Sequence, residues 1–203
     1  GKTYSHSYPE FGSPATKTYQ VRYVVYSGIN CVNTITRDVT FLATPSLAFT
    51  AIPFVCEKAT PFQLQAQITN GMAGTGAFSG PGVSSEGIFT PANAGAGKHA
   101  IRYTFIGANG CANFIEQIVD VYPSPFVNAG PDKVVLEGGQ VMLTPSQNAN
   151  GGPVTYLWTP STGLNNATIA FPVASPIEDI TYKLTVTTAN GCTGSDEVFV
   201  KVL

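Results

Sequence analysis

Four cysteines are the residues of this chain whose type and spacing could do chemistry: Cys31, Cys56, Cys111 and Cys192. Thiols pair as disulfides in an oxidising compartment, or bind soft metal ions as thiolates. A structural metal site draws its ligands from short CxxC or HxxxH spacings. Successive cysteines here lie 25, 55 and 81 residues apart, so disulfide chemistry is expected and metal binding is not. The spacing also carries a period, because Cys31, Cys111 and Cys192 recur at 80 and 81 residues. Each follows a turn signal: Ser27-Gly28-Ile29-Asn30, Gly107-Ala108-Asn109-Gly110 or Ala189-Asn190-Gly191. A period of about 80 residues is a whole small domain, so the chain reads as a stretch of an array.

Other reactive groups are sparse. His6 and His99 are the two residues that could act as a base near neutral pH. His99 leads into a strand-like run and is expected at an edge or surface, and His6 is expected to hydrogen-bond nearby backbone. Glu178-Asp179 and Asp196-Glu197 are adjacent pairs. Neighbours on a strand face opposite ways, so neither pair can flank one sugar bond. The glycines of Gly71–Gly76 and Gly80-Pro81-Gly82 lack the Gly-Lys-Ser/Thr and helix of a phosphate cradle and read as turns. Asn166-Ala167-Thr168 fits a glycosylation sequon, which matters only in a eukaryotic secretory path. Asp132 with Asn128 gives two oxygen donors beside a proline joint, short of the six to eight a calcium ion takes. Trp158, the single tryptophan, is a tempting sugar platform, but in sandwich folds that residue sits at the centre of the core. Tyr26, Tyr122 and Phe126 are better candidates for exposed aromatics near the joints. No catalytic, cofactor-binding or metal-binding residue is assigned.

The elements that must hold these residues are strands. Residues alternate in polarity before each periodic cysteine: Tyr19, Val21, Tyr23 and Val25 oppose Gln20 and Arg22; Ile101, Tyr103 and Phe105 oppose Arg102 and Thr104; Tyr182, Leu184 and Val186 oppose Lys183 and Thr185. A returning run such as Val198, Val200 and Val202 follows, and two final antiparallel strands closed by a hairpin are how many immunoglobulin-like sandwiches end. Prolines at Thr44-Pro45-Ser46 and Tyr122-Pro123-Ser124-Pro125 mark short, stiff joints. The expected architecture is all-β: residues 1–45 as the C-terminal half of one sandwich, 46–124 as a second and 125–203 as a third, in an elongated rod. The half unit should expose a strand edge prone to pair with another chain. Val55-Cys56-Glu57 aligns with Val135-Leu136-Glu137, so the second unit holds an early and a late cysteine. The expectation is a Cys56–Cys111 bond worth about 4 kcal/mol in the chain-entropy treatment. Cys192 should then be a buried free thiol against Leu136, and Cys31 should lack a partner.

Specific pieces resemble a known family. Ala129-Gly130-Pro131-Asp132, Tyr156-x-Trp158-Thr159-Pro160-x-x-Gly163-Leu164 and Asn190-Gly191-Cys192 are similar to the PKD-type, immunoglobulin-like repeats of large secreted and surface proteins of gliding bacteria. Val55-Cys56, Phe78-Ser79-Gly80-x-Gly82-Val83, Gly87-x-Phe89-x-Pro91 and Asn109-Gly110-Cys111 look like a sister module, and His6-Ser7-Tyr8-Pro9-Glu10-x-Gly12 is similar to the segment before the last strands of a PKD domain. Where many such domains read Trp-Asp-Phe-Gly-Asp-Gly, Trp158 is followed by Thr159-Pro160-Ser161, which removes acidic groups that could face a cation. The resemblance implies an extracellular β-sandwich array of adhesive or structural use.

Composition agrees with that class. Only 11% of residues are charged, with a formal net charge of −2, against about 25% charged in an average protein. There is no basic footprint for nucleic acid and no apolar run long enough to cross a membrane. The chain opens on Gly1, and a signal peptide is expected to have been removed. The expected function is a non-catalytic extracellular or cell-surface module of a secreted bacterial protein. It would space and present neighbouring domains of its parent chain and meet a protein or glycan ligand at the cell surface. A carbohydrate-binding module attached to a polysaccharide-degrading enzyme is the alternative, and a line of exposed aromatics on one sheet face would separate the two.

Overall fold

The computed structural model describes residues 3–8, 16–149 and 152–203. Strands dominate, as a chain rich in Thr, Val and aromatics and poor in good helix formers dictates. The first two, β1 (Lys17–Ser27) and β2 (Cys31–Phe41), form an antiparallel hairpin in continuous register from Lys17↔Phe41 to Ser27↔Cys31. Next come β3 (Leu47–Phe49), β4 (Val55–Cys56), β5 (Phe62–Gln63), β6 (Ala66–Ile68), β7 (Gly74–Ser79) and β8 (Ile88–Phe89). After a single helical turn, α1 (Pro91–Ala94), follow two long strands, β9 (Gly97–Gly107) and β10 (Ala112–Tyr122). These strands pair as β3–β6, β5–β8 and a four-stranded sheet ordered β4-β10-β9-β7.

The remaining strands are β11 (Phe126–Asn128), β12 (Lys133–Val135), β13 (Val141–Met142), β14 (Ser146–Asn148), β15 (Val154–Thr159), β16 (Val173–Ala174), β17 (Ile180–Thr188) and β18 (Thr193–Val202). They pair as β11–β14, β13–β16 and a four-stranded sheet ordered β12-β18-β17-β15. The same order of pairings therefore occurs twice. In both sets a short strand lies parallel on the outer edge of the last one, β4 on β10 and β12 on β18. The chain divides into two compact units, Gly1–Ile52 with Pro61–Phe89 and Ala100–Ile118, and Pro53–Thr60 with Thr90–His99 and Val119–Leu203.

In the second unit the core is Trp158, Tyr182, Leu184, Val186, Leu143, Val198 and Val200, each fully or almost fully buried. The alternation of β17 sends Tyr182, Leu184 and Val186 inward and Lys183 out, as its period of two requires. Trp158 lies in the core as expected, and its Nε1–H donates to the Ile169 carbonyl at 3.1 Å. Tyr182, at the start of β17, donates its hydroxyl to the Thr162 carbonyl at 2.7 Å. A buried Trp on one strand is a hallmark of the immunoglobulin-type sandwich, and here the Tyr182 hydroxyl ties the start of β17 to the connection between β15 and β16. The residue two after that Tyr is Leu184, which shares the core with Leu143, so apolar packing stands where such folds often place a disulfide.

In the first unit Tyr103, Phe105, Met72 and Ala43 form the buried centre, with Leu47, Phe49, Ala66 and Phe78 against it. The glycines of 71–76, expected to be turn residues, are not all so. Gly74 and Gly76 lie in β7, paired with β9. A Cβ on Gly76 would run into the Tyr103 ring, and one on Gly74 would meet the Phe105 ring. Glycine stands there because a side chain would collide with the backbone and rings of the neighbouring strand.

Among the described residues the β1–β2 hairpin has no comparable core. Tyr19 is half-buried, packing with Tyr8 and Phe41, whereas Val21, Tyr23 and Val25 on the same face are 40–55% exposed. The segment His6-x-Tyr8 is described only as far as Tyr8, and His6 lies edge-on to that ring. Pro9, Glu10 and Gly12 fall outside the described residues.

Two outcomes test this packing. Leu184→Ala should lower stability by roughly 2–5 kcal/mol, and Leu157→Ala, half exposed on β15, by far less, as read from denaturant midpoints of Trp158 fluorescence. Burial raises the Tyr182 pKa above its ordinary 10, so the folded state disfavours the phenolate. The stability this contributes is intact below pH 10 and is lost as pH climbs toward the folded value. Tyr182→Phe should therefore cost about 1–3 kcal/mol at neutral pH, and the gap to wild type should narrow above pH 10.

Candidate functional site

Two of the four cysteines, Cys56 and Cys192, converge at the end of β10. The two residues of β4 pair parallel to its last two, Val55 with Val121 and Cys56 with Tyr122. The Glu57 N–H then donates to the Tyr122 carbonyl at 2.8 Å, and the Lys58 N–H to Ser124 Oγ at 3.3 Å. Phe54 packs edge-on against the Tyr122 ring, with centroids 5.7 Å apart. Those contacts hold Cys56 beside the proline joint.

The turn between β17 and β18 supplies the second thiol. Gly191 takes a positive φ of 79°, the left-handed conformation an Asn-Gly turn favours. The Thr188 N–H donates to the Cys192 carbonyl at 2.9 Å, and the Cys192 N–H donates to Thr188 Oγ1 at 3.1 Å. Thr188 thus grips Cys192 from both sides, and Cys192 is fully buried. Cys56 and Cys192 form a disulfide with a Cα separation of 5.5 Å, spanning 136 residues of chain.

This corrects the expected Cys56–Cys111 bond, since Cys111 is a free, half-buried thiol. The reason is geometric. Cys111 lies just before the first residue of β10, and Cys56 pairs with the last. Ten to eleven residues at about 3.4 Å each place the two some 35 Å apart along the strand, while a disulfide needs Cα atoms within about 7 Å. Cys56 lies on an edge strand beside the last strand, not on the inner strand that an inter-sheet disulfide uses. The expected burial of Cys192 against Leu136 fails for the same reason. Leu136 follows β12, which pairs with the far end of β18, and its side chain is exposed.

Cys31 is free and exposed at the β1–β2 turn. Around Cys111, the side-chain amide of Asn109 donates to the Ala43 carbonyl and that of Asn113 to the Pro45 carbonyl, both at 2.8 Å. Ala43 and Pro45 are buried, so the first joint is tucked against this turn rather than left as an open linker.

The other expected candidates are drawn into the scaffold. Asp132 accepts the Phe199 N–H at 2.9 Å, and Asn128 accepts the Gly130 N–H at 2.8 Å. Asp196 accepts the Ala129 N–H and Asp179 the Val202 N–H. These carboxylates secure strand ends, and among the described residues no three His, Cys, Asp or Glu side chains cluster as a metal site would need. His99 is half-buried on β9 and its Nε2 lies 2.8 Å from the Gly95 carbonyl, to which it donates. A cleft of about 320 Å³ in the first unit is lined by Gln63, Gly76, Phe78, Glu86 and Tyr103 among others. Glu86 is its one carboxylate, and the Ser85 hydroxyl beside it holds its pKa below the ordinary value. A lone ionised carboxylate with no acid or base across from it cannot divide acid and base roles.

Of the aromatics expected near the joints, Tyr26 and Phe126 are exposed and Tyr122 is half-buried beneath Phe54. Exposed Tyr23 and Tyr26 fall on opposite faces of β1, and the Phe114 ring is covered by the Arg102 guanidinium at 4.1 Å. Arg102 also bonds Glu116 at 2.9 Å. No helix among the described residues is long and apolar enough to cross a membrane.

Non-reducing peptide mapping should find Cys56 linked to Cys192, with Cys31 and Cys111 alkylated without reductant. In the chain-entropy treatment a bond closing this loop is worth about 5 kcal/mol against the fully unfolded chain, so Cys192→Ser should lower stability by up to that amount.

No family model matches the chain, and no curated protein matches it. Among solved structures it is similar to the PKD domain of the KIAA 1837 protein, at 23% identity and a TM-score of 0.32, covering 37% of this chain and 83% of that one. It is similar to Drosophila N-cadherin EC1-4, at 12% identity and a TM-score of 0.34, covering 96% of this chain and 60% of that one. It is also similar to the C-terminal 282-residue fragment of intimin, solved in complex with the translocated intimin receptor, at 13% identity and a TM-score of 0.47, covering 75% of this chain and 63% of that one. The chain is an all-β protein of sandwich type, identified as such by its own strand order and core.

Proposed function

We propose that this chain is a non-catalytic extracellular module of a larger secreted or cell-surface protein, built of tandem PKD-like sandwiches that space and present neighbouring domains. The observation that carries this reading is the Cys56–Cys192 bond. It joins the edge strand of the sheet ordered β4-β10-β9-β7 to the turn leading into β18 of the sheet ordered β12-β18-β17-β15. Both cysteines lie within the second compact unit, where the bond fastens the strand beside the joint at Pro123–Pro125 to the turn between β17 and β18, a stiffening that suits a spacer.

The proposed module boundaries are 1–45, 46–124 and 125–203, with the β1–β2 hairpin as the closing strands of the first. Each complete set carries the same strand pairings, which supports an array of the kind found in surface proteins of gliding bacteria. A disulfide in a chain of this composition fits an oxidising, extracellular setting. The ligand at the surface would be a protein or a glycan met by the presented domains.

A retention screen on soluble and insoluble polysaccharides, with and without calcium, tests the proposal. The expected result is no saturable binding and no released sugar at high micromolar protein, with a melting temperature unmoved by calcium. Saturable retention on one glycan class would replace the spacer with the carbohydrate-binding alternative.

A further inference from the structure

We propose that Cys111 is one half of a second staple of the same design. It would bond a cysteine on a short strand lying parallel on the outer edge of β2 at Phe41–Leu42, supplied by the early half of the module that the hairpin closes. This rests on the reading of β1–β2 as the closing strands of a module.

Three observations converge on the proposal. Cys111 occupies in its turn the place that Cys192 occupies in the next: both follow Asn-Gly, and in both a backbone N–H donates to the cysteine carbonyl at 2.9 Å, from Gly107 and from Thr188. Cys192 is bonded and Cys111 is free. Cys111 is also held close to the end of β2. Asn109 and Asn113, two residues to either side, bind the carbonyls of Ala43 and Pro45 just beyond that strand. Its counterpart Cys192 has its Sγ 4.0 Å from the carbonyl of Tyr122, the last residue of β10. Finally, β10 carries β4 on its outer edge at Val121–Tyr122, whereas β2 is paired with β1 alone among the described residues. Counting by the cysteine and proline period, Phe41–Leu42 matches Val121–Tyr122. Phe54 covers Tyr122, but Leu42 is 47% exposed. An uncovered apolar side chain, an open edge and a free thiol therefore meet where the other copy of the pattern has a strand, a ring and a disulfide.

The natural partner would lie about 136 residues before Cys111 in the parent polypeptide, the separation of the existing bond. Forming the bond removes two electrons and two protons from the two thiols. A disulfide-bearing thiol oxidant accepts them by exchange, through a mixed disulfide that the second thiolate resolves.

The probe is the octapeptide matching Pro53–Thr60, its cysteine activated as a mixed disulfide with 2-thiopyridine, offered to the 203-residue chain beside a scrambled version. The Cys111 thiolate attacks the peptide sulfur and thiopyridine leaves. The expected result is at least tenfold faster addition of the ordered peptide at Cys111, abolished in Cys111→Ser, while exposed Cys31 shows no preference. Amide exchange at 39–43 should slow in the adduct. Equal rates for both peptides at Cys111, with the hairpin amides still protected, would overturn the staple alone. A hairpin whose amides exchange freely would overturn the module reading and the staple together.

Discussion

Two backbone pairings, Val55 with Val121 and Cys56 with Tyr122, decide what the cysteines of this chain can do. The strand that carries Cys56 is two residues long, so those pairings fix where its thiol lies. Lying parallel on the last two residues of β10, it brings the thiol to the joint where the next strand pair turns. The disulfide then follows from proximity. Since 136 residues separate the two thiols, the bond closes a loop that no local tendency could close.

The two cores are built with few charges, and three of the carboxylates go to the backbone. Asp132, Asp179 and Asp196 each accept an N–H from a segment distant in sequence. A carboxylate used this way secures the end of a short strand, as Asp132 does just before β12 and Asp196 just after β11. Phe199, Val202 and Ala129 are tied by those bonds. The oxygens that might have met a cation are thereby engaged in the scaffold.

The hairpin is the exception to this economy. Its alternation matches that of β9 and β17, yet the inward face of β9 is buried and that of β1 is largely exposed. Nothing in the local pattern distinguishes them. The difference is the sheet that packs opposite, present for β9 and β17 and absent, among the described residues, for β1.

Alternation, turn residues and proline joints were enough to predict the long strands, the inward residues Ile101, Tyr103, Phe105, Tyr182, Leu184 and Val186, and the core placement of Trp158. These follow from local rules, since a period of two and an Asn-Gly turn need no knowledge of distant chain. The turns holding Cys111 and Cys192 were legible for the same reason. The partner of Cys56 was not. The rank of Cys56 in the chain points to an inner strand, but rank does not say which edge a two-residue strand joins. Glycines 74 and 76 were read as turn residues because glycine alone does not reveal a neighbouring ring that needs the space. The fold class and the strand faces were readable from the residues alone, because these depend on patterns within one element. Which cysteines bond, and which edge is unpaired among the described residues, emerged only in the folded chain, because those depend on the distance between elements far apart in sequence.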